Sequence, residues 1–318
     1  MPRILLVKTS SMGDVIHNLP IVSDIRSRHP DAEIHWLVEE GFADIPRLHP
    51  GVNEVITVAL RRWRKQLWRP SVWREIAVLR RRLKTAPYDF ILDTQGLIKS
   101  AWLGRLAHGL HIGYAGSCAR EPLAARFYDR SFHVDPAAHA VARYRALAAR
   151  AFDLPADLPL DYGLPAPQAA PAWAPPEPYA VLLHATSRDE KLWPEDDWAA
   201  LGAHLHQQGM LSLLPWGDMA EFERAQRLVA RIPDAIVAPR MRLTEAAALL
   251  ARARIVVGVD TGLVHLATAV GTPTIGIYCG SDPARNGLYA STPIANLGHD
   301  GAPPGIAEVI GQIGAMLP

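Results

Sequence analysis

Short apolar runs alternate with longer amphipathic stretches over the first 108 residues. Runs of strand length cover 3–8, 33–38, 54–58 and 88–93. Between them, 14–28, 72–84 and 97–108 space their apolar residues at helical intervals, with Ile16, Leu19, Ile21, Val22 and Ile25 forming one face of the first. Pro20 falls inside that pattern and predicts a kink. A stretch with eight prolines in 24 residues, 155–178, then breaks the periodicity and reads as a stiff linker. Beyond it the alternation restarts. Strands are predicted at 179–184, 211–215, near Ile236, 255–259 and 274–278, and helices at 197–207, 220–231, 244–251, 262–270 and 306–317. Such alternation is the pattern of parallel sheets covered by helices. The expected α/β architecture is two doubly wound, Rossmann-like domains, 1–154 and 179–318, facing a central cleft at the carboxyl ends of both sheets. The last helix is a candidate to pack back on the first domain.

Composition narrows the class. With 318 residues the chain is too long for one small core, and 49% hydrophobic residues supply two. No apolar run approaches the ~20 residues of a membrane span. The N-terminal residues lack the features of a secretory signal. Cys118 and Cys279 show no paired spacing, which argues against a disulfide framework or a zinc site. These features predict a cytoplasmic enzyme. Neither the dinucleotide fingerprint nor the P-loop motif occurs, which disfavours those two enzyme classes. Charge is uneven: the first 160 residues carry 23 Lys and Arg against 16 Asp and Glu, the remainder 10 against 16. A basic first half predicts an anionic partner there.

Two turns stand out chemically. In 256–267, a buried strand enters a helix through Asp260, Thr261 and Gly262, with His265 one turn on. Backbone amides at such a helix start suit a phosphate, and a carboxylate beside them accepts from hydroxyls, a combination fitting a nucleotide sugar. An ordinary capped turn has the same residue types. In the loop 8–14, Lys-Thr-Ser-Ser-Met-Gly-Asp, Gly13 permits close approach of a substrate. Asp14 there is either a general base for a hydroxyl or merely a helix cap. The most basic segment is 61–84, with ten Lys and Arg against Glu75, interleaved with Trp63, Trp68 and Trp73. Its Arg61–Lys65 part is placed to meet the phosphates and carboxylates of an acidic glycolipid, and its tryptophans a membrane interface, whereas 80–84 reads as a solvated helix face. Single-stranded nucleic acid is the alternative ligand of such a segment, and the pI of about 7.9 disfavours it.

Several blocks in consistent order resemble the ADP-heptose:lipopolysaccharide heptosyltransferases, glycosyltransferase family 9. They are 8–14, Val-Glu-Glu-Gly-Phe (38–42), Arg-Arg-Trp-Arg-Lys (61–65), Gln-Gly-Leu-Ile-Lys-Ser (95–100) and Ala-Arg-Glu-Pro-Leu-Ala (119–124). In the second half they are 184–194, Pro-Trp-Gly (215–217) and 260–267. The resemblance implies a GT-B fold, an inverting mechanism and catalysis with no metal and no cofactor, and no Asp-x-Asp occurs here to hold a cation. It implies Asp14 as base and Lys191 as the group meeting the departing diphosphate. Thr186, Ser187, Lys191, Glu221, Met241, Asp260, Thr261, Gly262 and His265 match donor-binding positions, with Met241 over the adenine. Ser11, Gly13, Arg61, Arg62, Arg64, Lys65 and Arg120 are assigned to the acceptor. The implied donor is ADP-heptose, the acceptor Kdo2-lipid A, and the location the cytoplasmic face of the inner membrane as a peripheral protein. The Ser-Ser-Met-Gly-Asp loop matches the subgroup acting first on the core. A later-acting core heptosyltransferase and a catalytically silent nucleotide-sugar-binding protein are the alternatives.

Overall fold

The structure, a computed structural model, describes residues 1–85, 87–165 and 169–317, so 166–168 of the proline-rich stretch lie outside the described residues. The chain divides into two compact units, Met1–Leu164 and Pro165–Pro318.

In the first unit the order is β1 (Arg3–Val7), α1 (Met12–His17), α2 (Pro20–Arg28), β2 (Glu33–Glu39), α3 (Asp44–Arg47), β3 (Glu54–Val58), α4 (Leu60–Trp63) and α5 (Pro70–Lys84). There follow β4 (Phe90–Asp93), α6 (Ile98–Gly104), β5 (Leu110–Tyr114), β6 (Arg130–Phe132) and α7 (Ala140–Phe152). All strands pair in parallel, in the order β3-β2-β1-β4-β5-β6. Leu5 and Val7 point to one face and join Leu37, Ile56, Val58, Ile91 and the inner side of α5 (Val72, Leu79, Leu83). Ile4 and Leu6, alternating with them, are equally buried on the opposite face. Burial on both faces is why β1 reads as a continuous apolar run.

The second unit repeats the scheme with β7 (Tyr179–Leu183), α8 (Glu195–Gln207), β8 (Leu211–Leu214), α9 (Met219–Val229), β9 (Ile236–Val237) and α10 (Leu243–Arg252). The rest is β10 (Ile255–Val259), α11 (Gly262–Ala269), β11 (Thr274–Ile277), α12 (Pro283–Asn286), β12 (Ile294–Leu297) and α13 (Ile306–Met316). Its parallel order is β12-β11-β10-β7-β8-β9. In both sheets the strand order reverses at the central pair, β1/β4 and β7/β10, the place where open α/β sheets bind ligands beyond their carboxyl edges. The last helix, α13, buries Val309 and Ile313 in the core of its own unit.

Three expectations change. The kinked helix over 14–28 is two helices, because Pro20 opens α2 at its first position, where no amide is needed. The strands β5, β6 and β12 and the helix α7 were not predicted. Leu110–Tyr114 carries a histidine and a glycine in five residues, whereas α7 has a regular apolar stripe, Val141, Tyr144, Leu147, Ala148 and Phe152, that the sequence reading passed over. Trp63, expected at a membrane interface, is buried, and its Nε1 donates to Glu75 Oε2 at 2.7 Å.

Candidate functional site

In the first unit, the loop after β1 is held from two sides. Thr9 donates through its amide and hydroxyl to Gln95 Oε1 at 2.8 and 2.7 Å, which ties it to the turn after β4. Trp36 Nε1 donates to the Lys8 carbonyl at 3.1 Å from β2. Gly96, at φ +67, closes the β4 turn where a Cβ would lie 3.1 Å from the Tyr114 ring. On this frame Asp14 sits in the first turn of α1. Its Oδ2 accepts from the Ser11 amide and hydroxyl, each at 3.1 Å, and its Oδ1 accepts from the Tyr144 hydroxyl at 2.6 Å. Lys8 lies 3.8 Å from Oδ1. Burial by itself would raise the Asp14 carboxyl, but the Lys8 charge, with the Tyr144 and Ser11 bonds, holds it well below the usual carboxylate range. Asp14 is therefore an anion at neutral pH.

Lys8 and Tyr144 were not singled out from the sequence. A lysine ending an apolar strand at the switch point was a usable signal for the first. Nothing local marks Tyr144, since it arrives from α7, which was itself not predicted.

The basic loop follows β3. Glu39, at the end of β2, accepts from the Leu60 and Arg61 amides at 3.2 and 3.0 Å and so caps α4. Arg61 lays its guanidinium over the Phe42 ring at 4.9 Å. These residues line an open pocket of about 410 Å³ bounded by Glu39–Phe42 and by Arg61, Arg62, Lys65 and Gln66. Arg62 differs from its neighbours: its guanidinium is bonded to both Glu40 and Glu75. Arg62 therefore holds the loop together and is not the free cation the sequence suggested. Arg61, Arg64 and Lys65 remain exposed. Ser11 and Arg120 are also exposed, and Gly13 is half-buried.

In the second unit, the residues singled out follow four strands that are contiguous in the sheet. Asp260, Thr261, Gly262 and His265 follow β10, Thr186, Ser187 and Lys191 follow β7, Glu221 follows β8, and Met241 follows β9. Asp260 is the hub of the first two groups. Its carboxylate pairs with the Lys191 ammonium, accepts from Ser281 Oγ at 2.7 Å, and lies 3.8 Å from His265 Nε2. Thr186 Oγ1 donates to the Asp260 carbonyl at 2.9 Å. Against the cost of burial, the His265, Lys191 and Ser281 contacts hold Asp260 well below the usual carboxylate range. Asp260 is thus engaged through Oδ2 by Lys191 and Ser281, with Oδ1 turned toward His265. The Thr261 side chain does not cap α11, so the first amides of that helix take no bond from their own N-cap side chain.

Ser281 was missed by the sequence reading. It follows β11, the neighbour of β10, and Gly280 lets its loop approach: a Cβ there would lie 2.7 Å from the Glu190 carbonyl. Ser187 is exposed. Glu221 Oε2 accepts from the Gly217 amide at 2.6 Å, leaving its other oxygen available. Met241 is half-buried. Among the described residues no group of three His, Cys, Asp or Glu is arranged to hold a metal ion, and no helix is long and apolar enough to cross a membrane.

Comparison with known proteins gives a consistent answer. Residues 61–306 match the model of glycosyltransferase family 9 (heptosyltransferase). The chain is 46% identical over 303 residues to lipopolysaccharide heptosyltransferase 1 of Pseudomonas aeruginosa, covering 94% of this chain and 84% of that protein. It is 44% identical over 297 residues to lipopolysaccharide heptosyltransferase 1 of Escherichia coli, covering 90% and 91%. Among solved structures it is similar to E. coli heptosyltransferase WaaC with ADP, at a TM-score of 0.91 and 40% identity over 98% of this chain and 99% of that one.

Proposed function

This chain belongs to glycosyltransferase family 9, and from that membership we propose that it moves L-glycero-D-manno-heptose from ADP-heptose to the first Kdo of Kdo2-lipid A, inverting the anomeric carbon. It is a heptosyltransferase of the lipopolysaccharide inner core. Transfer, as opposed to silent binding, rests on one observation: a carboxylate at the mouth of the first sheet, ionised and held from both oxygens. Oδ1 of Asp14 is anchored by Tyr144 and Lys8, so Oδ2 is the oxygen that takes the acceptor proton, with the rotatable Ser11 hydroxyl giving way. The acceptor oxygen then bonds to C1 of the heptose while the bond from C1 to the β-phosphate oxygen breaks. The electron pair departs with ADP.

The row of residues along β10, β7, β8 and β9 supports the donor assignment. Lys191, Ser187, the first amides of α11 and the Thr186 hydroxyl, once it turns from the Asp260 carbonyl, take the diphosphate, Glu221 the ribose hydroxyls, and Met241 the adenine. Preorganised donors aimed at the departing charge do the work a divalent cation does elsewhere. ADP release from ADP-heptose and Kdo2-lipid A is therefore expected to continue in EDTA, with a product one heptose heavier than the acceptor. Loss of turnover in chelator, restored by Mg²⁺ or Mn²⁺, removes the metal-free part of this reading. ADP release with only a heptosylated acceptor would assign the chain to a later step.

Arg61, Arg64 and Lys65 supply the positive charge for the acceptor. Alanine at Arg64 or Lys65 is expected to raise the acceptor KM about fivefold each, the ~1 kcal/mol one cation gains near an anionic surface. The donor KM should stay put, and the effect should shrink at high salt. An unchanged acceptor KM with a raised donor KM would move this loop to the nucleotide.

The same segment supports peripheral contact with the cytoplasmic face of the inner membrane. Trp68 and Trp73 are 76% and 58% exposed, and Leu67 and Val78 of the same segment are exposed as well. Arg69, Arg74, Arg80, Arg81 and Lys84 are exposed and have no acidic partner among the described residues, whereas Arg62 and Arg82 are paired. Aromatic side chains among unpaired cations fit an anionic bilayer better than a solvated face. Vesicles containing phosphatidylglycerol should carry the protein in flotation, and the pair Trp68→Ser with Trp73→Ser should weaken this about tenfold or more. Equal retention of wild type and variant, or retention by an oligonucleotide in place of vesicles, would refute the contact.

A further inference from the structure

Lys8 has entered the reaction so far only as a neighbour of Asp14 Oδ1, yet its position is unusual. Its side chain is 2% exposed, at the end of a strand buried on both faces. Buried lysines are rare unless paired, because desolvation costs the charged form. Three contacts hold this one. Nζ donates to the Thr94 carbonyl at 3.2 Å, lies over the Tyr144 ring at 3.6 Å, and stands 3.8 Å from Asp14 Oδ1. Tyr144 thus touches both members of the pair, its ring under the ammonium and its hydroxyl on the carboxylate.

We propose that Lys8 is a positioning residue for the transfer, keeping Asp14 ionised and turned so that Oδ2 meets the acceptor. This rests on Asp14 being the base.

The charged and titratable surroundings are consistent with that role. His17 approaches Asp14 from its own helix, and Asp93 faces Lys8 from the end of β4. Tyr114 comes from β5, Arg120 from the loop beyond it, and Arg143 and Tyr144 from α7. Arg120 and Arg143 push against the Lys8 charge, while Asp14 and Asp93 favour it. Burial outweighs them and lowers Lys8 to about 8. Lys8 therefore carries its charge at neutral pH, and it is the largest single influence opposing protonation of Asp14. A carboxylate buried without that neighbour would sit higher and be partly protonated under mildly acidic conditions.

The test is the pH profile of kcat/KM for Lys8→Met and Lys8→Gln, the latter retaining a donor for the Thr94 carbonyl. Wild type should stay flat on the acid side until the fold itself is lost. Both variants should lose activity at a point about 1–3 pH units higher than any wild-type limb, and Lys8→Arg, which keeps a cation, should not. In an Asp14→Asn background, Lys8→Met should add less than about threefold, because its action runs through the missing carboxylate. An unchanged thermal unfolding transition and far-ultraviolet circular dichroism spectrum report that the variants are folded. A purely structural lysine would lower the rate by the same factor at every pH and in both backgrounds, and that result overturns the inference. If Asp14→Asn itself turns over near the wild-type rate, the base assignment falls first. If Asp14→Asn is crippled while Lys8→Met and Lys8→Gln keep a flat profile, only the role of Lys8 falls.

Discussion

Asp14→Asn lowers kcat by about 10²–10⁴, the range for loss of one positioned base, while ADP-heptose binds as before. The amide is the same size as the carboxylate and can still accept from Tyr144 or from Ser11, so α1 keeps its start. It cannot take a proton from the acceptor. Lys8 loses its counter-charge and sheds its own proton more readily, which limits the cost of leaving a buried cation unpaired. Stability should also change its dependence on pH. Asp14 is held below its unfolded value, so it contributes stability that is complete above about pH 4 and lost as pH falls toward the folded value. The Asn variant should lack that part of the acid-side loss. Rapid-quench measurement of heptose transfer at saturating substrates separates the chemical step from product release. A transfer rate within threefold of wild type would remove Asp14 from the chemistry.

Lys191→Ala has the second largest expected effect, about 10²–10³ in kcat, the usual loss for one preorganised donor to developing charge, together with weaker donor binding. The physical reason is double. The ammonium that pairs with Asp260 is lost, and Asp260, left with Ser281 and His265, places an uncompensated negative charge at the proposed diphosphate site. Lys191→Arg keeps the charge and should recover part of the binding. The acceptor KM should barely move. Calorimetric titration with ADP reads the binding half directly. An ADP affinity within twofold of wild type would return Lys191 to the status of an ordinary ion-pair partner of Asp260.

The two units were legible because parallel strands buried on both faces appear as continuous apolar runs. Ile255–Val259 and Arg3–Val7 needed no tertiary information to be recognised. The strands that escaped are those where position in the sheet outweighs composition. Arg130–Phe132 is a three-residue edge strand with largely exposed side chains, and nothing in it distinguishes it from loop. The candidate residues were legible for a similar reason: all but Arg120, which follows the unread β5, come after the carboxyl end of a strand that could be read. Their partnerships were not. Tyr144 meets Asp14 across 130 positions, Ser281 meets Asp260 across 21, and Lys191 meets it across 69.

By itself, then, the sequence determined two helix-covered parallel sheets, a basic segment in the first half, and the turns carrying Asp14 and Asp260. Periodicity and local charge are properties of neighbouring residues, and they survive without a fold. Only the tertiary structure decided which charges are free. Arg62 belongs to Glu40 and Glu75, Asp260 belongs to Lys191 and Ser281, and Trp63 is a core residue while Trp68 and Trp73 face water. Those outcomes depend on which strands are neighbours in the order β3-β2-β1-β4-β5-β6 and its counterpart, because strand order sets which loops meet at the carboxyl edge. The ionisation of Asp14 has the same origin. It follows from a lysine buried by one strand and a tyrosine delivered by a helix 130 residues away.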